Sequence, residues 1–187
     1  MNKYPQYIEV NNKRYKLNTD FRVALRCDEI IRDEEITNYE KAKAIIYLLT
    51  GDEGYSDIEK QEKILKLLVK YLKCGKEYEQ EENKQPSMSF TQDEGYIKAS
   101  FMSDYHIDLD KDNLHWWEFY DDLIGLKDSC ILNRVRRIRE EPLKGKKGEE
   151  LHRWQEAKKA VALKVEKTKR EKELDEYWEH LLNQKGE

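Results

Sequence analysis

Two helix-start patterns, each followed by a glycine, constrain the first part of the chain more than any other feature. Thr37 and Glu40 form the first pattern. In such a capping box the hydroxyl accepts from the backbone N–H of the glutamate, and the carboxylate accepts from the backbone N–H of the threonine. Ser56 and Glu59 form the second. The glycines that follow the two apolar stretches are Gly51 and Gly75. Because glycine readily adopts the left-handed turn that ends a helix, the pattern predicts two capped helices.

The segment before these helices alternates between apolar and polar residues. Residues 7–10 and 14–17 flank Asn11 and Asn12, which tolerate a positive φ. We therefore predict a β-hairpin that packs on a helix, since a lone hairpin is marginally stable. Residues 18–20 offer N-cap oxygens to a helix beginning near Phe21. The residues expected on its buried side are Phe21, Leu25, Ile30 and Ile31.

The most apolar cluster lies in residues 114–126. A helix is predicted from near Thr91, and Asp112 is expected to cap the helix after it. On that second helix Trp116, Phe119, Tyr120 and Leu123 share one face, and Trp117 lies beside them. Helical spacing of this kind is typical of a core, and a groove for a partner is the alternative interpretation.

A narrow apolar stripe follows Gly125, formed by Ile131, Leu132, Val135 and Ile138. The other faces of this predicted helix carry a basic patch, made of Arg134, Arg136, Arg137 and Arg139. Such arginines can contact nucleic-acid phosphates or an acidic protein surface. The strongly acidic remainder of the chain favours the protein contact and makes nucleic acid an unlikely partner.

From residue 149 to about residue 182 nothing in the sequence breaks a helix, so we predict one long C-terminal helix. Its last part carries a second apolar patch, composed of Leu174, Tyr177, Trp178 and Leu181, with Leu182 beside it. A lone helix cannot bury such a patch. We expect it to meet another part of the chain or a partner.

These patterns together predict a mainly α protein, with a short N-terminal β-hairpin packed on a helical bundle and a long C-terminal helix. The predicted division has four parts. Residues 1–75 form the hairpin and first helices, 76–89 an acidic linker, 90–148 an aromatic-rich helical lobe, and 149–187 a C-terminal helical extension.

Charge and cysteine usage narrow the function classes. The net charge of −4 divides into −8 for residues 1–126 and +4 for residues 127–187, so the whole chain is not a basic nucleic-acid binder. The three cysteines show no paired or metal-ligand spacing, which is typical of free thiols in a reducing cytosol. Residues 1–17 lack the apolar stretch of a signal peptide and no run approaches roughly 20 apolar residues, so we expect neither a leader nor a membrane span.

The residue patterns predict no catalytic, cofactor or metal site. The four histidines are scattered, and no nucleophile elbow, phosphate loop or dinucleotide fingerprint occurs. Asp108, Asp110 and Asp112 have the spacing that begins a calcium loop, but Asn113 and Phe119 stand where glycine and glutamate are required. Helix-capping acids are the alternative interpretation, and the one we favour.

Four segments carry a resemblance to a known family. They are LNTDFR (residues 17–22), YLKCGK (71–76), YHIDL (105–109) and LHWWEF (114–119). In this order and spacing they resemble the bacteriophage gene-product-fifteen family, found in phages and prophages of Gram-positive bacteria. The resemblance covers roughly residues 7–163. It departs at residues 134–139, where family members tend to have a GYR-like stretch, and after about residue 164.

The resemblance implies a gene in the tail module, next to the tape-measure gene, and action in the cytoplasm of the bacterial host. It therefore implies a tail assembly chaperone, which is a non-enzymatic protein that binds the tape-measure protein. Other tail proteins and further copies of the chain itself are the other partners that the resemblance implies. The aromatic residues 116, 117, 119 and 120 and the patch at 174–181 are then the candidate partner surfaces. A structural tail or connector component of the virion is the alternative, and a nucleic-acid-binding regulator using the basic patch is a third.

Overall fold

The computed structural model describes residues 4–52, 57–76 and 86–164. In these ranges the chain forms a two-stranded hairpin, β1 (Tyr7–Val10) and β2 (Lys13–Lys16), followed by helices. The helices are α1 (Phe21–Arg32), α2 (Asn38–Thr50), α3 (Ile58–Leu72), α4 (Glu94–Tyr105), α5 (Trp116–Gly125), α6 (Ile131–Glu140) and α7 (Gly148–Ala160). The predicted fold class, a mainly α protein with a short N-terminal hairpin, is confirmed.

The hairpin forms where its turn residues allow it. Asn11 and Asn12 both have positive φ, 51° and 61°, which suits a two-residue turn between antiparallel strands. Ile8, Val10 and Tyr15 are buried, and β1 packs on α3. The packing on α3 supplies the apolar contacts that a lone hairpin lacks.

Local capping fixes the first three helices. The Asp20 side chain accepts from the Arg22 N–H at 2.9 Å and begins α1. Thr37 and Glu40 make the predicted reciprocal contacts at the start of α2, and Gly51 ends it with a φ of 68°. The N-cap of α3 is Asp57, which accepts from the Lys60 N–H. The prediction of Ser56 at that position was wrong, and Ser56 itself lies outside the described residues.

One contiguous core joins the elements. Its centre is a stack of phenylalanine rings: Phe119 lies 4.7 Å from Phe21 of α1 and 5.1 Å from Phe101 of α4, measured between centroids. The core extends from Ile8 in the hairpin to Leu132 in α6. Residues on both sides of the predicted linker therefore pack together. The four-part division itself stays a prediction, since residues 77–85 lie outside the described ranges.

Three further sequence predictions need correction. Ile31 is 45% exposed, because the buried face of α1 runs through Phe21, Ala24, Cys27 and Ile30 instead. Ile131 is also exposed, since the buried stripe of α6 is Leu132 and Val135. The helix predicted to begin near Thr91 begins at Glu94, after a turn.

The last helix is shorter than the uninterrupted pattern predicts. α7 ends at Ala160, and residues 161–164 are not helical. Arg139 donates to the Val161 carbonyl at 2.6 Å, and the Gln92 side chain bonds both backbone groups of Lys164. These contacts hold the backbone away from a helical path, so a single helix from 149 to 182 is wrong. Residues 165–187 lie outside the described part of the chain. None of the described helices is long and apolar enough to cross a membrane.

Candidate partner-binding site

The predicted aromatic cluster is chiefly core. Phe119 is fully buried and Trp116 is 5% exposed, whereas Trp117 and Tyr120 are half-buried and pack against the core from its edge. The two indoles donate to the last carbonyls of α3, Trp116 to Leu72 at 3.0 Å and Trp117 to Tyr71 at 2.9 Å. A helix C-terminus leaves its last carbonyls without partners in the helix; Trp116 bonds one of them, and Trp117 shares the Tyr71 carbonyl with the Cys74 N–H. Trp116 and Trp117 thus join α5 to α3.

The glycine after α3 gives Trp117 its place. Gly75 has a φ of 70°, and a Cβ at that position would lie 3.2 Å from the Trp117 ring. Glycine suits both features, because it adopts a positive φ without strain and has no Cβ to press on the ring. The glycine of the YLKCGK segment therefore allows close packing against the second tryptophan of the LHWWEF segment.

His115 begins α5, in place of the predicted Asp112. Its Nδ1 accepts from the Trp117 N–H at 3.0 Å, and its other ring nitrogen lies 2.9 Å from the Pro5 carbonyl oxygen. These roles require the neutral imidazole with its proton on Nε2. Asp112 accepts instead from the Asp108 N–H, inside the preceding loop.

Arg22 joins the LNTDFR segment to the loop after α4. Its guanidinium donates to the Leu109 carbonyl at 2.7 Å and to the Asp112 carbonyl at 3.0 Å, and it contacts the Asp20 carboxylate. The backbone on either side pairs as well, because Trp116 N donates to Thr19 O and Phe21 N donates to Leu114 O. All four segments that carry the family resemblance consequently meet around the start of α5.

An open cleft of about 790 Å³ lies beside this junction. It is formed where the exit of the hairpin, the end of α2 and the loop before α5 come together. The lining residues are Lys16, Leu17, Asn18, Thr19, Asp20, Tyr47, Leu48, Leu49, Thr50, Gly51, Asn113, Leu114 and His115. Tyr47 is 55% exposed and supplies an aromatic ring at its edge. The volume and mixed lining suit a few side chains of a partner protein.

The sequence patterns did not reveal this cleft. Its lining comes from segments about a hundred residues apart, and only the resemblance of residues 17–22 and 114–119 to one family marked both sides of it. Arg22 was likewise missed as a joining residue, because an arginine in a first helical turn normally faces solvent.

The predicted basic patch divides in two. Arg134 and Arg137 are exposed. Arg139 forms a bidentate ion pair with Asp93, whose side chain is 1% exposed, and Arg136 bonds Ser87 and Asn133. Arg134 and Arg137 are therefore the exposed members of the predicted patch, and a binding role for the patch stays a prediction.

The acidic loop after α4 uses its carboxylates internally. Asp108 contacts Lys111 at 2.7 Å and Asp110 contacts Lys98 at 2.6 Å. The hydrogen bond from Lys111 and the Asp110 N–H lower the pKa of Asp108. These contacts agree with capping and ion pairing as the role of the acids. Among the described residues, no cluster of His, Cys, Asp and Glu has the grouping of a metal site.

Two buried thiols and a tyrosine of the interior have raised pKa values. Burial raises the pKa of Cys27 to about 12. Burial also raises the pKa of Cys74 to about 12. The positive charge of Lys76 opposes this shift, and the negative charge of Asp121 adds to it. The pKa of Tyr71 is raised by burial and by Cys74 and Cys27. High pKa values keep these groups neutral, which is typical of structural rather than reactive thiols.

The remaining predicted partner residues, Leu174, Tyr177, Trp178 and Leu181, lie outside the described residues. They stay a prediction.

The sequence matches the family model described as Bacteriophage Gp15 protein over residues 1–163. The match places the chain among bacteriophage proteins and confirms the resemblance. The chain belongs to the Bacteriophage Gp15 protein family. This family suggests a phage structural or tail-related protein. Neither the curated proteins nor the solved structures contain a match to the chain.

Proposed function

We propose that this protein is a tail assembly chaperone that binds the tape-measure protein in the host cytoplasm while a phage tail is built. The observation that carries the proposal is membership of the Bacteriophage Gp15 protein family over residues 1–163. The resemblance adds a gene position beside the tape-measure gene. The proposal involves binding alone and no catalytic step.

A tape-measure protein is long, helical and largely apolar, so a chaperone must cover parts of it and keep the complex in solution. The composition supports the second task, since 40% of the residues are charged. The cleft beside Tyr47 supports the first, because it offers apolar contacts from Leu48 and Leu114 next to polar backbone. We infer that side chains of a tape-measure helix enter this cleft.

The test is co-expression with the tape-measure protein encoded beside it, scored by the soluble fraction of that protein. Co-expression should raise this fraction, and Tyr47→Glu should reduce the gain. Tyr39→Glu is the matched control, because Tyr39 lies on the same helix, is 64% exposed and does not line the cleft. If the tape-measure protein is equally insoluble with and without this chain, the chaperone proposal fails.

A structural tail or connector component is the second candidate, because family membership supports a tail-related protein of either kind. Mass spectrometry of purified virions separates the two: a chaperone is absent from finished tails and a structural component is present. Light scattering during chromatography tests the further expectation that the chain forms homo-oligomers. The nucleic-acid hypothesis loses support, because Arg136 and Arg139 are engaged within the protein.

A further inference from the structure

One flank of α3 carries apolar side chains that the rest of the described chain covers only in part. Ile58 is 71% exposed, Val69 is 36% exposed, and Leu65 and Leu72 are half-buried. We call these four residues the α3 flank. They lie beside the fully packed face of the same helix, which consists of Ile64, Leu68 and Tyr71. At helical spacing they form a stripe that a second amphipathic segment can cover.

Lysines border the C-terminal half of this stripe, whereas Glu62 lies beside its N-terminal half, one turn after Ile58. Residues 65–76 contain four lysines and no acidic residue. The lysines are Lys66, Lys70, Lys73 and Lys76. In helical projection Lys66 and Lys73 border the α3 flank on its solvent side. A segment that covers the flank along residues 65–73 should therefore be apolar on one side and acidic at the margin that faces Lys66 and Lys73.

The C-terminal part of the sequence has these properties. Residues 171–182 contain five acidic residues and one lysine. The apolar residues among them, spaced i, i+3, i+4, i+7 and i+8, are Leu174, Tyr177, Trp178, Leu181 and Leu182. This spacing puts them on one face if the segment is helical. The segment therefore complements the α3 flank in both hydrophobicity and charge.

The described chain ends close enough for this segment to reach α3. Lys164 is held by the Gln92 side chain at 2.7 and 2.9 Å. Gln92 follows Phe90 by two residues, and the Phe90 ring lies 6.3 Å from the Trp116 ring, measured between centroids. The Trp116 indole in turn donates to the Leu72 carbonyl at the end of α3. Leu174 is ten positions after Lys164, and ten steps of an extended chain span about 33 Å.

We propose that residues 174–182 dock on the α3 flank of the same chain, with their apolar side chains on the flank and their acids toward Lys66 and Lys73. A segment tethered at Lys164 has an effective concentration in the millimolar range, which favours it over the same segment of a second copy. This inference does not depend on the proposed chaperone function.

The experiment replaces Val69 in the full-length protein with the photo-cross-linking residue p-benzoylphenylalanine and identifies the cross-linked peptides by mass spectrometry. The expected product has the mass of a monomer and joins position 69 to residues 171–182. Lys63 replaced in the same way is the matched control, because it lies on the opposite flank of α3 and is 48% exposed on its side chain. Cross-links from position 63 to the same peptide in equal yield would overturn the proposal, as would a product with the mass of a dimer.

Charge reversal gives a second, independent readout. The paired change Lys66→Glu and Lys73→Glu should lower the cross-link yield about threefold or more, because attraction at the margins becomes repulsion. Adding Asp175→Lys and Glu179→Lys should restore it. Circular dichroism confirms that each variant keeps its helices. A yield unaffected by the first pair, or lost and not regained with the second, contradicts the proposed contact.

Discussion

Arg139 and Asp93 form a bidentate ion pair between α6 and the start of α4, with N–O distances of 2.6 and 2.8 Å. Asp93 is 1% exposed on its side chain and Arg139 is 11% exposed. The same guanidinium donates to the Ser87 and Val161 carbonyls. One arginine thus joins α6, the entry to α4 and the segment after α7.

We expect Arg139→Met to lower the free energy of unfolding by about 3 to 5 kcal/mol, because it leaves the Asp93 carboxylate buried without its partner. Urea unfolding followed by circular dichroism measures the loss. Arg134→Met is the control: Arg134 is exposed on the same helix, and its replacement should change stability by no more than about 0.5 kcal/mol. Equal effects from the two variants would show that the ion pair contributes nothing.

Gly75→Ala should be more destabilising than Gly51→Ala. The two glycines have nearly the same φ, 70° and 68°, so the cost of about 1 to 2 kcal/mol for a left-handed alanine is common to both. Only at Gly75 does a Cβ approach the Trp117 ring, at 3.2 Å, whereas nothing lies within 4 Å of one at Gly51. Thermal unfolding of both variants measures the difference. If the Gly51 variant loses as much, Trp117 moves aside freely.

Tyr71→Phe should raise the free energy of unfolding by about 1 kcal/mol, since the Tyr71 hydroxyl is buried without a hydrogen-bond partner in the described structure. Tyr105→Phe serves as the opposite case, because the Tyr105 hydroxyl donates to the Asp122 carbonyl at 2.9 Å. Its removal should lower stability by about 1 kcal/mol. Both values come from chemical denaturation, and a loss of stability in the Tyr71 variant would reveal a partner for that hydroxyl.

The stability of the protein should decrease above pH 9 in a way that depends on Cys27. The pKa of this thiol is raised from 9.0 to about 12 in the folded chain, so between these values the unfolded chain ionises the thiol and the folded chain does not. The resulting loss is about 1.4 kcal/mol on going from pH 8 to pH 10. Cys27→Ala should lack this part of the decrease, while the difference between variant and wild type stays constant from pH 6 to pH 8. Parallel profiles for the two proteins over the whole range would contradict the assignment.

Local signals in the sequence were sufficient to predict most of the helices and the hairpin. They were insufficient to predict the long-range contacts that join these elements. The capping box of Thr37 and Glu40 is confirmed because all its atoms lie within one helical turn. The start of α3 was wrong by one residue, since Ser56 and Asp57 are both good N-caps and only packing decides between them.

The site was harder to predict than the fold. Four arginines within six residues of α6 indicated a basic surface. However, no local pattern shows that Arg139 forms an ion pair with Asp93, because the two residues are 46 positions apart. The same limit applies to the cleft beside Tyr47 and to the end of α7. Long-range contacts of this kind depend on the folded chain, and sequence periodicity carries no information about them.

The junction around α5 also has a consequence for the order of synthesis. Pro5 and His115 are 110 residues apart, and Arg22 and Leu109 are 87 apart. A ribosome that adds 5 to 20 residues per second needs roughly 5 to 20 s to make the partners of the N-terminal segment. During this time Phe21 is already made while the ring of Phe119, on which it stacks, is not. A protein proposed to cover the apolar surface of another chain thus spends its own first seconds with apolar surface uncovered.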